Sequence, residues 1–171
     1  MPIHSSSQLM QAIYENDISL VESLIHDGVD IHHANDYALQ YAADCGCVHI
    51  VSILLDHGAN IHVNYDYPLK RAVCNGYFDM VQLLLDRQAD IHASDDYALK
   101  RSVEFGFADI TELLLSRGAD VHARNDSLLG LAYNNGFDDI VRLLIIYGAH
   151  YDRIGITKDK LAKIFHIRKS I

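Results

Sequence analysis

Apolar residues recur along this chain at helical spacing, and the helices they predict recur on a longer period of 30 residues. In the stretch DYPLKRAVCNG, Leu69, Ala72 and Val73 share one helical face. In FDMVQLLLDRQA, Met80, Val81, Leu84 and Leu85 do the same, which predicts two short helices per period. Asp66 stands where an N-cap is expected, and Pro68 is tolerated in the first turn. Gly76 ends the helix, because glycine enters the left-handed conformation without a side-chain clash. Small residues on the first helix and larger ones on the second let successive pairs stack closely. One such pair cannot bury its own apolar face, so the copies must stack to be stable.

The longer period is read directly from the residues. Gly46, Gly76, Gly106 and Gly136 lie 30 apart, as do Leu39, Leu69, Leu99 and Leu129. Ile31, Ile61, Ile91 and Val121 keep the same register, and so do His32, His62, His92 and His122. Gly28, Gly58, Gly118 and Gly148 share another phase, broken once by Gln88. Projected backwards, the period sets Leu9 on Leu39, Ala12 on Ala42 and Asn16 on Gly46, so the first 30 residues are a degenerate copy. Asn16 suits that position because asparagine also enters the left-handed region. Five copies result, at 1–30, 31–60, 61–90, 91–120 and 121–150, the first acting as an N-terminal cap. Residues 151–171 follow, with Leu161, Ile164 and Phe165 at helical spacing after Thr157, and read as a basic capping helix and tail.

The stretch DYALQYAADCGCVHIVSILLDHGANIH resembles the ankyrin repeat, with its paired alanines, mid-repeat glycine, LL pair and closing G-A-D/N segment. The resemblance covers residues 1–150 and implies an all-α fold, an ankyrin-repeat solenoid of stacked helix-turn-helix units. Two departures stand out. The family period is usually 33, and its T-P-L-H signature is replaced by YALQ, YPLK, YALK and SLLG. The three absent residues fall before the first helix, where the family carries a projecting turn, so shortened inter-repeat turns are expected. The short form, with its recurring D-I-H-A and N-D-Y-A-L wording, resembles the ankyrin arrays of giant DNA viruses.

Charge changes the picture along the chain. The net charge is −9, yet residues 1–69 hold nine acids and no Lys or Arg, while residues 151–171 hold six basic residues against two acids. Phosphate would be repelled by the first half, which argues against a nucleic-acid partner. The opposed ends also favour weak head-to-tail contact between copies. No run of about 18 uncharged apolar residues is present, so no membrane span is expected. MPIHSSSQLM has neither the basic start nor the apolar core of a secretory signal. Three cysteines in no disulfide or zinc pattern fit a reducing compartment, so an intracellular location is expected, in the cytoplasm or in a host cytoplasm or nucleus.

Candidate chemistry is sparse. No phosphate-binding, zinc-protease, nucleophile-elbow or dinucleotide motif occurs, and the recurring Asp36, Asp66, Asp96 and Asp126 read as turn and cap residues. The histidine ladder invites a metal, but stacked helices lie about 8–10 Å apart. Ligands of one zinc lie within about 4 Å of each other. Each histidine is instead expected to hydrogen-bond a neighbouring repeat. No metal, cofactor or catalytic residue is therefore expected. Tyr37, Tyr67 and Tyr97 form a second ladder, either packing on one another or serving as anchors for a ligand. Lys70, Arg71, Lys100 and Arg101 fall on the side of the first helix that lines the concave groove in ankyrin-like proteins, with Tyr41 and Leu131 at the corresponding phase. They read either as a solvated face neutralising nearby acids or as a surface for an acidic segment of a protein partner. The leading expectation is a non-catalytic protein-protein interaction module, for a viral protein one that engages a host factor. The alternatives are a self-assembling scaffold using its acidic and basic ends, or a substrate adapter of a ubiquitin ligase.

Overall fold

Helices follow one another through residues 6–124 and 127–165, the part of the chain that this computed structural model describes, the side chains of Arg153, Lys158 and Asp159 excepted. The expected turn role of Asp126 and the basic side chains Arg153, Lys158, Arg168 and Lys169 lie outside the described residues. Two compact units divide the chain, residues 1–90 and 91–171. In the first, α1 (Ser6–Tyr14) pairs with α2 (Ile18–His26), α3 (His33–Cys45) with α4 (Val48–Asp56), and α5 (Val63–Cys74) with α6 (Phe78–Asp86). First helices pack on first helices, α1 on α3 and α3 on α5, and second helices stack likewise. In the second unit, α7 (Ala93–Phe105) pairs with α8 (Ala108–Ser116) and α9 (Ser127–Asn134) with α10 (Asp138–Ile146). A 3-10 turn at Tyr151–Ile154 packs on α9, and α11 (Lys158–Ile164) packs on α10. No strand occurs among the described residues.

The core follows from residue size. Ala12, Ala42, Ala43, Ala72 and Ala132 are fully buried on the first helices, where their missing bulk lets backbones approach. The second helices fill the space with Ile50, Leu54, Met80, Leu84, Ile110, Leu114, Ile140 and Leu144, all fully buried. Each such side chain contributes about 1.5–3 kcal/mol relative to exposure. Leu85, expected in this set, is only half-buried, whereas its counterpart Leu115 is buried. At the far end, the Thr157 hydroxyl accepts from the Lys160 amide at 3.4 Å and caps α11, whose Ile164 is buried. Arg142 Nη1 donates to the Ile164 carbonyl at 2.6 Å, satisfying an otherwise orphaned acceptor of the last turn.

The shortened connections take a form that the residue pattern does not announce. Ala34, Asn35 and Asp36 all have positive φ (52, 61 and 53°), as do Asn64, Tyr65, Asp66 and Ser94, Asp95, Asp96. Arg124 also has positive φ, 56°. Three consecutive left-handed residues reverse the chain before each right-handed helix starts at Tyr37, Tyr67 or Tyr97. Asp66 is therefore not the helix cap expected of it. Its carboxylate, buried within the turn, accepts from His62 Nδ1 at 3.0 Å and from the Asp90 amide of the following turn at 2.8 Å. Asp96 repeats this in the second unit, accepting from His92 Nδ1 at 3.0 Å and the Asp120 amide at 3.2 Å. The bond to the next repeat thus comes from the aspartate, and the histidine orients that aspartate within its own repeat.

Asn16, with φ 53°, ends the first helix where Gly46 and Gly106 end theirs at 75 and 77°. Gln88 also sits at φ 68°, in the phase where Gly28, Gly58, Gly118 and Gly148 have positive φ. A side chain there clashes with its own carbonyl, so Gln88→Gly is expected to stabilise the chain by about 0.5–1 kcal/mol. Urea denaturation checks this, and a variant no more stable than the parent would contradict it.

Candidate functional site

The first-helix surface is built by residues that follow the ladder tyrosine. On a right-handed helix, a residue and the one four positions later are neighbours. Position 41 therefore lies beside Tyr37, position 71 beside Tyr67, and position 101 beside Tyr97. Tyr37, Tyr67 and Tyr97 each meet a different neighbour.

In the first unit, the Tyr37 and Tyr41 rings stack with centroids 6.1 Å apart and planes 12° apart. Tyr37 is half exposed, Tyr41 less so. Desolvation raises the Tyr41 phenol above its ordinary pKa, and the neighbouring Cys45 adds to this. The Tyr67 hydroxyl donates to Asp44 Oδ2 at 3.1 Å, and Arg71 Nε donates to Asp44 Oδ1. The bond to Asp44 holds the Arg71 guanidinium above its ordinary pKa, while burial, then the bond to Asp44, raises the Tyr67 phenol. Arg71 thus spends part of its charge on an acid from the preceding copy. Lys70 lies with its ammonium 5.7 Å from the centre of the Tyr65 ring.

In the second unit, Arg101 lies over Tyr97, with the guanidinium carbon 4.9 Å from the ring centre, and donates through Nη1 to Glu104 at 2.7 Å. A hydrogen bond to Tyr97 and the nearby Glu104 raise its pKa. Among the described residues, its buried Nε has no hydrogen-bond partner. Lys100 and Leu131 are half-buried, on α7 and α9. The Phe105 ring, 46% exposed, lies 5.9 Å from the Arg101 guanidinium and extends this surface with apolar area.

The six residues singled out by register, Tyr41, Lys70, Arg71, Lys100, Arg101 and Leu131, are all half-buried and not freely exposed. Register brings Lys70 and Arg71 onto one helix, and Lys100 and Arg101 onto another. It does not show that Arg71 and Arg101 are held by Asp44 and Glu104. The second pair could have been read from its i, i+3 spacing; the first joins residues 27 apart and carries no local signal.

The other candidate groups form scaffold contacts. His32, His62 and His92 each pair through Nδ1 with the aspartate four residues on, at 2.8, 3.0 and 3.0 Å. His122 lies with its ring 5.0 Å from that of His150. No group of three or more His, Cys, Asp or Glu gathers in a metal-holding arrangement among the described residues. Buried Cys47 donates its thiol to the Ile13 carbonyl at 3.5 Å. No helix among the described residues is long and apolar enough to cross a membrane.

Comparison with known proteins agrees with this geometry. The family model for ankyrin repeats, in three copies, matches residues 9–95, and the single ankyrin repeat matches residues 97–126. No curated protein matches the chain.

Proposed function

The chain belongs to the ankyrin repeat family, and from that premise we propose that it is a non-catalytic module binding a protein partner through its first-helix surfaces. Tyr41, Lys70 and Arg71 would contact the partner in the first unit, and Lys100, Arg101 and Leu131 in the second. One observation carries this reading. Leu39, Leu69, Leu99 and Leu129 are identical and buried, whereas two residues further on the chain presents Tyr41, Arg71, Arg101 and Leu131. Identical positions build the scaffold; a position released from that duty can encode a partner. The lysines complement an acidic segment, and the tyrosines supply the large, rigid contact area that interfaces favour. The 30-residue wording supports placing the chain among viral arrays, with a host protein as the partner.

The test is selection of binders from a displayed library of protein fragments, followed by titration against Lys70→Glu/Lys100→Glu. Arg71 and Arg101 are left in place because each holds a neighbouring acid. The expected result is a loss of roughly tenfold or more in affinity. Unchanged affinity for every selected fragment would refute the assignment of this surface.

A further inference from the structure

The turns before α3, α5 and α9 share one device, and the end of the array departs from it. Asp30, Asn60, Asp90 and Asp120 stand 30 apart, and the next position in phase is His150. At this phase the side chain holds its own turn: Oδ1 of Asp30, Asn60 and Asp120 accepts from the His32, His62 and His122 amides at 2.9, 3.0 and 2.9 Å. His150 makes no side-chain cap bond at the start of the 3-10 turn Tyr151–Ile154. The fold also fixes what this phase meets. His62 Nδ1 and the Asp90 amide both bond Asp66 Oδ1, and His92 Nδ1 and the Asp120 amide both bond Asp96 Oδ1. The ladder histidine of one copy therefore lies beside the turn residue that closes the next. At the end of the array that neighbour is a second imidazole. The His122 and His150 rings lie 5.0 Å apart, centre to centre, with planes 31° apart, and both residues are exposed.

We propose that His122 and His150 form a binding site for zinc, each giving one imidazole nitrogen. Two imidazoles on one tetrahedral zinc, at Zn–N about 2.0–2.1 Å, set their ring centres about 5 Å apart, which matches this pair. The spacing that excludes a shared ion along the ladder does not reach these two residues, because they belong to different phases and converge across one contact between copies. An imidazole carries two nitrogens, so a histidine held by a protein group through one can ligate through the other, and such a hold orients the ring. His32, His62 and His92 show this division, with Nδ1 given to an aspartate. Imidazole selects zinc over magnesium and calcium, which take oxygen ligands. With two protein ligands, the remaining positions fall to water or to a group of a bound partner. The site stands apart from the first-helix surface and does not depend on it.

The experiment is isothermal titration of the full chain with Zn2+ at neutral pH, with the imidazole proton signals followed by NMR. The signals of His122 and His150 are expected to shift before those of the other histidines. His150→Asn restores the residue type that Asn60 supplies at this phase, so its melting temperature is expected to equal or exceed the parent's while zinc binds about tenfold more weakly or worse. His122→Gln is expected to weaken zinc as much. His32→Gln, at the same turn position in the first unit, is expected to leave zinc affinity unchanged. No binding at millimolar zinc, unchanged affinity in His122→Gln or His150→Asn, or an equal loss in His32→Gln would overturn the proposal.

Discussion

Asp66→Ala is expected to destabilise the chain by about 2 kcal/mol, because it removes the buried carboxylate that accepts from both His62 and the Asp90 amide. The Asp66 carboxylate is 3% exposed and takes hydrogen bonds from His62 Nδ1 and the Asp90 amide. Loss of this acceptor leaves the part-buried Asp90 amide without its carboxylate, at a cost of about 1–3 kcal/mol, whereas the largely exposed histidine can turn to water. Asp66→Asn keeps an acceptor oxygen and is expected to recover at least half of the loss. Urea denaturation of both variants checks this; a loss below about 1 kcal/mol for the alanine variant would show that the turn does not depend on its carboxylate.

Gly106→Ala is expected to cost about 2–3 kcal/mol, from two separable effects. The residue ends α7 with φ 77°, where any side chain meets its own carbonyl. A Cβ there would also approach the Phe137 ring to 2.9 Å, closer than contact distance. Phe137 stands at the start of α10, so relief requires a shift in the next copy. Gly136→Ala separates the two effects: φ is 75°, yet nothing lies within 4 Å of the added carbon. It is expected to cost about 1 kcal/mol, the backbone part alone. Equal losses in both variants would show that the Phe137 ring yields freely.

Both predictions concern contacts between neighbouring copies, and such contacts were the least legible part of the sequence. The helix pairs and the stacking order followed from the 30-residue register, because burial of an apolar face is a local pattern repeated in phase. Asn16 was recognised as a helix end for the same reason: it occupies a glycine phase and tolerates positive φ. The left-handed turns were not visible. Ala34, Tyr65 and Ser94 have no intrinsic preference for that conformation, and it is imposed by the short connection between stacked pairs. With the turn hidden in the sequence, the pattern alone makes Asp66 a cap and the ladder histidine the inter-repeat contact. Register placed Tyr41, Arg71, Arg101 and Leu131 in one phase, but only packing shows that Asp44 and Glu104 hold the two arginines. Lys70 and Lys100 become the more informative probes of that face.

Hydrogen exchange of the full chain, with and without a fragment selected from a displayed library, decides whether the first-helix surfaces bind a protein. New protection is expected on the amides of first helices, α3 and α5 in one unit or α7 and α9 in the other, with α4, α6, α8 and α10 unchanged. Protection confined to the second helices, or selection that yields no binding fragment, would contradict it.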